Sequence, residues 1–318
     1  ANTEQPAAEN TASDAAEAPA ASEETEGKTY TVGVCQLVQH EALDAATQGF
    51  CDALTEALGD AVTIDVQNAS GDSVNCGTIV NGFVSKNVDL IMANATPALT
   101  AAASATADIP ILGTSITAYG VALDIADFSG TVGGNISGTS DLADLSAQAQ
   151  MILDWFPETQ KVGLLFCSAE PNSRYQIEEV AKYLSDKGVE TEEFAFTDTN
   201  DVASVTQSAA DYSDVVYIPT DNTAAANTEA IGNVLIPAGV PAICGEEGIC
   251  RGCGVATLSI SYYDLGVTTG KMAAKILTGE ANISEMPVEF TDATPKYNPS
   301  VCEQLGITPL EGYEAIEG

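Results

Sequence analysis

From Thr29 onward, short β-branched apolar runs alternate with longer stretches whose apolar residues recur at helical spacing. The short runs predict strands and the longer ones amphipathic helices. Strands are expected at 30–38, 62–68, 88–94 and 109–115, with helices at 41–58 and 73–87 between the first three. In the first helix Leu43, Phe50, Leu54 and Leu58 fall on one face. The scheme then begins again. Strands are expected at 161–167, 189–196, 214–220, 241–247 and 255–261, and helices at 140–156, 173–188, 222–239 and 262–279. Repeated β–α alternation defines an α/β fold with parallel sheets, helices on both faces and right-handed crossovers. Two series of similar length predict two similar lobes, which suits 318 residues better than one core. The segment GTVGGNISGTSD (130–141) is expected to pass between them. It lacks the G-x-G-x-x-G spacing and the strand–helix context of a dinucleotide loop.

Charge narrows the partners. Ten Lys and Arg stand against 46 Asp and Glu, a formal net charge of −36. Such a surface repels nucleic acid and anionic lipid. No run reaches the ~18–20 apolar residues of a membrane-spanning helix. Residues 1–28 hold seven acids and no aromatic residue, and Lys28 is their one base. This composition predicts a disordered acidic leader. It also reads as the spacer of a surface lipoprotein whose lipid-bearing cysteine would precede Ala1.

Of eight cysteines only Cys244, Cys250 and Cys253 cluster in sequence. A structural metal site wants a fourth ligand, and the single histidine, His40, is remote. Buried thiols and one local disulfide remain the alternatives. Catalysis has little to stand on: there is no G-x-S-x-G, Walker A or H-E-x-x-H sequence.

In an open parallel sheet, ligands bind beyond the carboxyl ends of the strands. The residues there are rich in hydroxyls and amides: Gln36 to His40, Asn94 to Pro97, Thr114 to Thr117, Ala169 to Tyr175, Thr220 to Asn222, and Glu246 with Glu247. Helix N-termini hold a carboxylate without Arg or Lys, and Asp221, Glu246 or Glu247 suits an ammonium group. A zwitterion fits both. Tyr119, Tyr175 and His40 are candidates for an apolar or aromatic wall, while Trp155 reads as packing. Sugars, nucleosides and branched amino acids, and a sensing role in place of transport, remain open on these residues alone.

The ordered motifs VGVCQLVQHEALDAATQGF, VDLIMANATPAL, IPILGTSITA, GGNISGTSDL, VGLLFCSAEPNS, VVYIPTDNT and SYYDLGVTTGKMAAKILTG resemble the ABC-transporter substrate-binding proteins of the tryptophan/tyrosine-binding, TrpX-like type. The resemblance covers nearly all of 29–318. It implies the type I periplasmic-binding-protein fold: two Rossmann-like lobes joined by three crossing segments, here 29–139 plus 258–284 and 140–257 plus 285–318. It implies an aromatic amino acid ligand, a permease and its ATPase as partners, and a lipoprotein anchor; with it go the expectations of no cofactor, a monomer, and a place on the extracellular face of the membrane or in the periplasm. Carried onto this chain, the binding positions are Gln36, His40, Thr96, Thr114 and Ser115 in the first lobe. In the second they are Asn172, Ser173, Thr220, Asp221, Asn222 and Glu246. Two departures stand near them: Ala118-Tyr119, where the family usually has Asp-Pro, and the cysteine-rich GICRGCG (248–254).

Overall fold

A computed structural model describes residues 27–317. The leader expected over 1–28 lies outside them, apart from Gly27 and Lys28. In chain order the elements begin with β1 (Tyr30–Gln36), α1 (Glu41–Leu58), β2 (Val62–Asn68), α2 (Ser73–Ser85), β3 (Leu90–Asn94), α3 (Thr96–Ala105), β4 (Ile111–Ile116), α4 (Tyr119–Ala122) and β5 (Ile136–Ser140). Next come α5 (Leu145–Trp155), β6 (Lys161–Cys167), α6 (Pro171–Asp186), β7 (Glu190–Phe196), α7 (Val202–Tyr212), β8 (Val215–Ile218), α8 (Asn222–Ala225), α9 (Thr228–Ala238), β9 (Ala242–Cys244), α10 (Glu247–Cys253) and β10 (Ala256–Ile260). The chain finishes with α11 (Tyr262–Leu277), β11 (Glu289–Phe290), β12 (Ala293–Tyr297), α12 (Pro299–Leu305) and β13 (Glu314–Ala315).

Two sheets form, in the orders β11-β5-β4-β3-β1-β2 and β13-β12-β10-β9-β8-β6-β7. Every pairing is parallel except β10 with β12. Inner strands such as β3, β4 and β8 are buried on both faces, while the edge strands β2, β7, β11 and β13 are partly exposed. In the first sheet Val32, Val34, Leu90 and Met92 pack against α1 and α11, through Phe50, Met272 and Leu277. Cys35, Ile91 and Ala93 face the opposite way, onto Val80 and Phe83 of α2 and Leu99 of α3. The second sheet repeats the arrangement, with Leu165, Val216 and Ala242 on one side and Leu164, Tyr217 and Ile243 on the other.

The chain crosses between sheets after β5, after β10 and after β11. These points differ from the expected divisions. Leu258 and Ser259 pair with Pro295 and Thr294 in the second sheet, so the crossing follows Ile260 rather than residue 257. Glu289 and Phe290 pair with Thr139 and Ser140, which keeps the first sheet going past residue 284. Strand pairing sets both points, and hydropathy does not reveal it.

The glycine-rich 130–141 segment also differs from expectation: its second half is strand β5. Gly138 has φ 144°. A side chain there would collide with the Gly113 backbone and the Tyr119 hydroxyl. Gly138, one of the glycines that disguised the strand, is what lets it lie against β4. The helix expected at 140–156 accordingly starts later, at Leu145, where Asp144 accepts from the Ser146 and Ala147 amides at 2.9 and 3.1 Å. Helix α7 and strand β12 were not anticipated, and the helix expected at 222–239 is broken into α8 and α9. No helix among the described residues is long and apolar enough to cross a membrane.

Candidate functional site

The carboxyl ends of β1, β4 and β5 face those of β6, β8 and β9 across a cleft. On the first lobe β4 slips register between Gly113 and Ile116. Ser115 sits in this irregularity with φ 56°, a left-handed conformation unfavourable to a side chain. Its buried hydroxyl has no hydrogen-bond partner. Beyond β5, Asp141 is buried and accepts from Thr117 Oγ1 at 3.2 Å and from the Tyr262 hydroxyl at 2.8 Å. Burial pushes its carboxyl up to about 6, against the pull of those two hydroxyls.

The second lobe answers with three buried carboxylates whose oxygens are committed to backbone. Glu170 accepts from the Asn222 and Thr223 amides at 3.0 and 2.9 Å, from both of their side chains, and from Asn172 Nδ2 at 3.1 Å. Asp221 caps α8 through the Ala224 amide at 2.8 Å and also accepts from the Cys167 amide and Ser173 Oγ, each at 2.7 Å. Glu246 caps α10, accepting from the Gly248 amide at 2.7 Å and from the Ile249 amide. Burial raises the carboxyls of Asp221 and Glu246 to about 7, and the Glu170 charge adds to the effect on Asp221. Asn172 donates to Glu170 and to the Thr220 carbonyl, which leaves its Oδ1 buried and without a partner.

The lobes meet closely. His40 Nε2 lies 3.2 Å from Asn222 Oδ1 across the cleft. Burial lowers the His40 imidazole below its ordinary value, which favours the neutral ring. At the rim Arg251 pairs with Glu41 of the other lobe and with Glu247 at 2.7 Å, while Lys296 reaches Glu247 at 2.7 Å. The polar cavity between the lobes is only about 10 Å³. Next to it, with Thr117 shared, is a wider cavity of about 630 Å³ walled by Tyr119, Ile125, Phe128, Leu142, Tyr175 and Phe290. No Lys or Arg lines either one.

Of the positions expected from sequence, His40, Ser115, Asn172, Thr220, Asp221, Asn222 and Glu246 converge on the small cavity. Tyr175 stands on the wider one. The others are turned to structural work. Gln36 donates to the Val38 carbonyl and Asp44 and accepts from Thr47. Thr114 joins Thr139 and Thr269 in a buried hydroxyl cluster at 3.1 and 3.2 Å. Ser173 is spent on Asp221. Thr96 is buried at the start of α3 and lines neither cavity. Tyr119 walls the wider cavity, but its hydroxyl donates to the Thr139 carbonyl at 3.0 Å and its ring stacks on Phe128 at 6.4 Å. Trp155 packs edge-on against Tyr313, away from the cleft. Thr117 and Glu170 lie within the strand-end stretches but were not among the carried-over binding positions, and Asp141 and Tyr262 were not singled out. Asp141 closes a segment that looked like a linker, and Tyr262 opens a helix whose pattern spoke only of packing. Among the described residues no group of His, Cys, Asp or Glu is arranged to hold a metal ion.

Two α/β lobes with polar strand ends facing across a closable cleft define a solute-binding protein. Residues 31–313 match the family model described as ABC transporter substrate binding protein, and the chain belongs to that family. It is 33% identical over 270 residues to the tyrosine-binding protein of Clostridioides difficile (strain R20291), covering 84% of this chain and 78% of that one. An ABC domain from Streptococcus pneumonia in complex with L-Trp superposes with TM-score 0.86 at 31% identity, covering 91% of this chain and 100% of the other. A ligand-free, open substrate-binding protein with adhesive properties from Clostridium difficile gives TM-score 0.69 at 32% identity, covering 91% and 99%. The identities are nearly equal while the superpositions differ. The lobes here are therefore set more as in the L-Trp complex than as in the open protein.

Proposed function

We propose that this chain captures an aromatic amino acid, tyrosine or tryptophan, between its lobes and hands it unchanged to the permease of an ABC importer. The observation that carries this reading is the pair of buried, unpartnered atoms, Ser115 Oγ and Asn172 Oδ1, which meet at one cavity from opposite lobes. Buried polar atoms of a folded protein are nearly always paired. A zwitterion pairs both: its ammonium donates to Asn172 Oδ1 and Asp141, and its carboxylate accepts from Ser115. The ring then enters the wider cavity between Tyr119, Phe128 and Tyr175. A space of about 10 Å³ does not admit an amino acid, so the lobes part and reclose around it. Contacts from both lobes exist together only in the closed form, which is how the ligand favours it. The relatives that bind tyrosine and tryptophan support the choice of ligand. On this reading the protein is a monomer held outside the membrane, with the acidic leader as spacer to a lipid anchor.

The test is a thermal-shift screen against the twenty amino acids, sugars and nucleosides. A ligand at 100 times its Kd adds about 2.7 kcal/mol of stability. A shift confined to tyrosine, tryptophan or phenylalanine is expected. A shift with sugars or nucleosides alone would sink the ligand assignment and keep the transport role.

A further inference from the structure

The carboxylate that faces the small cavity from the first lobe is held by two other parts of the chain. Asp141 directly follows β5, and its amide donates to the Ile116 carbonyl at 3.1 Å, which ties it to the end of β4. Thr117 Oγ1 donates to its Oδ1 at 3.2 Å and the Tyr262 hydroxyl to its Oδ2 at 2.8 Å. Each carboxylate oxygen thus takes one hydroxyl and keeps acceptor capacity. All three residues line that cavity. Tyr262 is fixed in its turn. It opens α11, whose cap Ser261 accepts from the Asp264 amide at 3.2 Å, and its ring packs with Ala42 and Ala46 of α1 and with Leu265. Burial pushes its hydroxyl well above the ordinary value, so it remains a donor. Asp141 begins the crossing after β5, and Tyr262 stands where the crossing after β10 enters α11. Their bond therefore joins two of the crossing segments at the cavity.

We propose that Tyr262 is a positioning residue for ligand choice: its hydroxyl aims Asp141 at the ligand's α-ammonium, so that the cleft takes amino acids and refuses ring acids that lack the ammonium. This rests on the reading of the cleft as an aromatic amino acid site. A carboxylate fixed by buried donors meets an incoming ammonium without first reorganising. A ligand without that ammonium leaves Asp141 buried and facing nothing, which a site built around a charged hydrogen bond penalises. The other titratable groups on the cavity are His40, Asp221 and Glu246. Asp221 and Glu246 are committed to backbone amides, and the His40 ring to Asn222. Asp141 is left as the acid on the cavity that hydroxyls alone hold.

The experiment is calorimetric titration of the full chain with L-tryptophan and L-tyrosine, and with indolepropionate and hydroxyphenylpropionate, which keep ring and carboxylate but lack the ammonium. The unsubstituted protein is expected to bind each ring acid at least about tenfold more weakly than its amino acid. Tyr262→Phe keeps the packed ring and removes only the donor. It should weaken amino acid binding about tenfold and leave the ring acids as they were. The acid-side loss of amino acid affinity should also move to higher pH. The Asp141 carboxyl, already raised to about 6 by burial, loses a donor that favours its charged form. In an Asp141→Asn background Tyr262→Phe should change affinity no further. Thr117→Val removes the other donor, should act in the same direction, and takes its place if Tyr262→Phe does not fold. A ring acid bound as tightly as its amino acid would overturn the proposal and keep the cleft reading. So would equal weakening of both ligand types, or an unmoved pH profile. Failure of both amino acids to bind the unsubstituted protein would instead overturn the cleft reading, and the proposal with it.

Discussion

The two sides of the cleft are built from different chemistry. The second lobe offers Glu170, Asp221 and Glu246, but nearly every oxygen among them is bound to the first amides of α8 and α10 or to neighbouring backbone. The first lobe and its crossing offer Asp141, held only by hydroxyls, and Ser115, held by nothing. An acid that caps a helix shapes a site, whereas an acid bound by hydroxyls has capacity left for a ligand. Proximity to a cleft does not separate the two cases; the list of donors does.

The sharpest way to break this contrast is Asp221→Ala. It leaves the Cys167 and Ala224 amides and the Ser173 hydroxyl without their acceptor. The expected loss is about 3 kcal/mol of folding stability, from a cap and buried unpaired donors together. Urea unfolding reads it, and an unchanged midpoint would end the structural assignment. Asp141→Asn is expected to act the other way round. Amino acid affinity should fall by about 1.5–3 kcal/mol, the loss of a charged hydrogen bond, with a smaller change in stability. Calorimetric titration separates the two.

Acidification sharpens the comparison further. Asp141, Asp221 and Glu246 have folded values of about 6, about 7 and about 7, above their ordinary 3.8 and 4.5. The folded state then binds more protons than the unfolded one across that window. Stability from these acids is full below the ordinary values and is lost as pH rises through 6 to 7. Tm should climb as pH falls from 8 toward 5, and relief of self-repulsion at a net charge of −36 works in the same direction. Ammonium binding needs ionised Asp141, so affinity should decline below pH 6 while Tm rises. Parallel trends would contradict the division of roles. The smallest effect belongs to Arg251→Ala at the rim. Its partner Glu41 is half exposed, so the change is below about 1 kcal/mol. It would appear as a slightly larger radius in solution scattering of the ligand-free protein.

Most of the fold was legible because strand and helix periods were clean; Val32, Val34, Leu90 and Met92 face where alternation puts them. β5 was hidden because its one glycine, Gly138, answers to a neighbouring ring and backbone rather than to a turn. In the site, position after a strand found His40, Ser115, Asn172 and Glu246. The same rule swept in Gln36 and Thr114, since strand ends carry polar residues for internal bonding too. Asp141 escaped because its importance comes from Thr117 and from Tyr262, 121 residues away, which no local window contains.

The ring of Tyr119 both lines the wider cavity and presses its hydroxyl into the gap left by Gly113 and Gly138. The back of the chamber is therefore a piece of the sheet's own seam. Trimming that ring to enlarge the chamber would open a hole between two strands, and filling the hole from the glycine side would push the ring forward into the chamber. If the ligand's ring enters this chamber as proposed, breadth of ligand choice and integrity of the lobe are tied to a single residue, and selection for a new solute has to begin on the other walls, at Tyr175 or Phe290, before it can reach the wall behind.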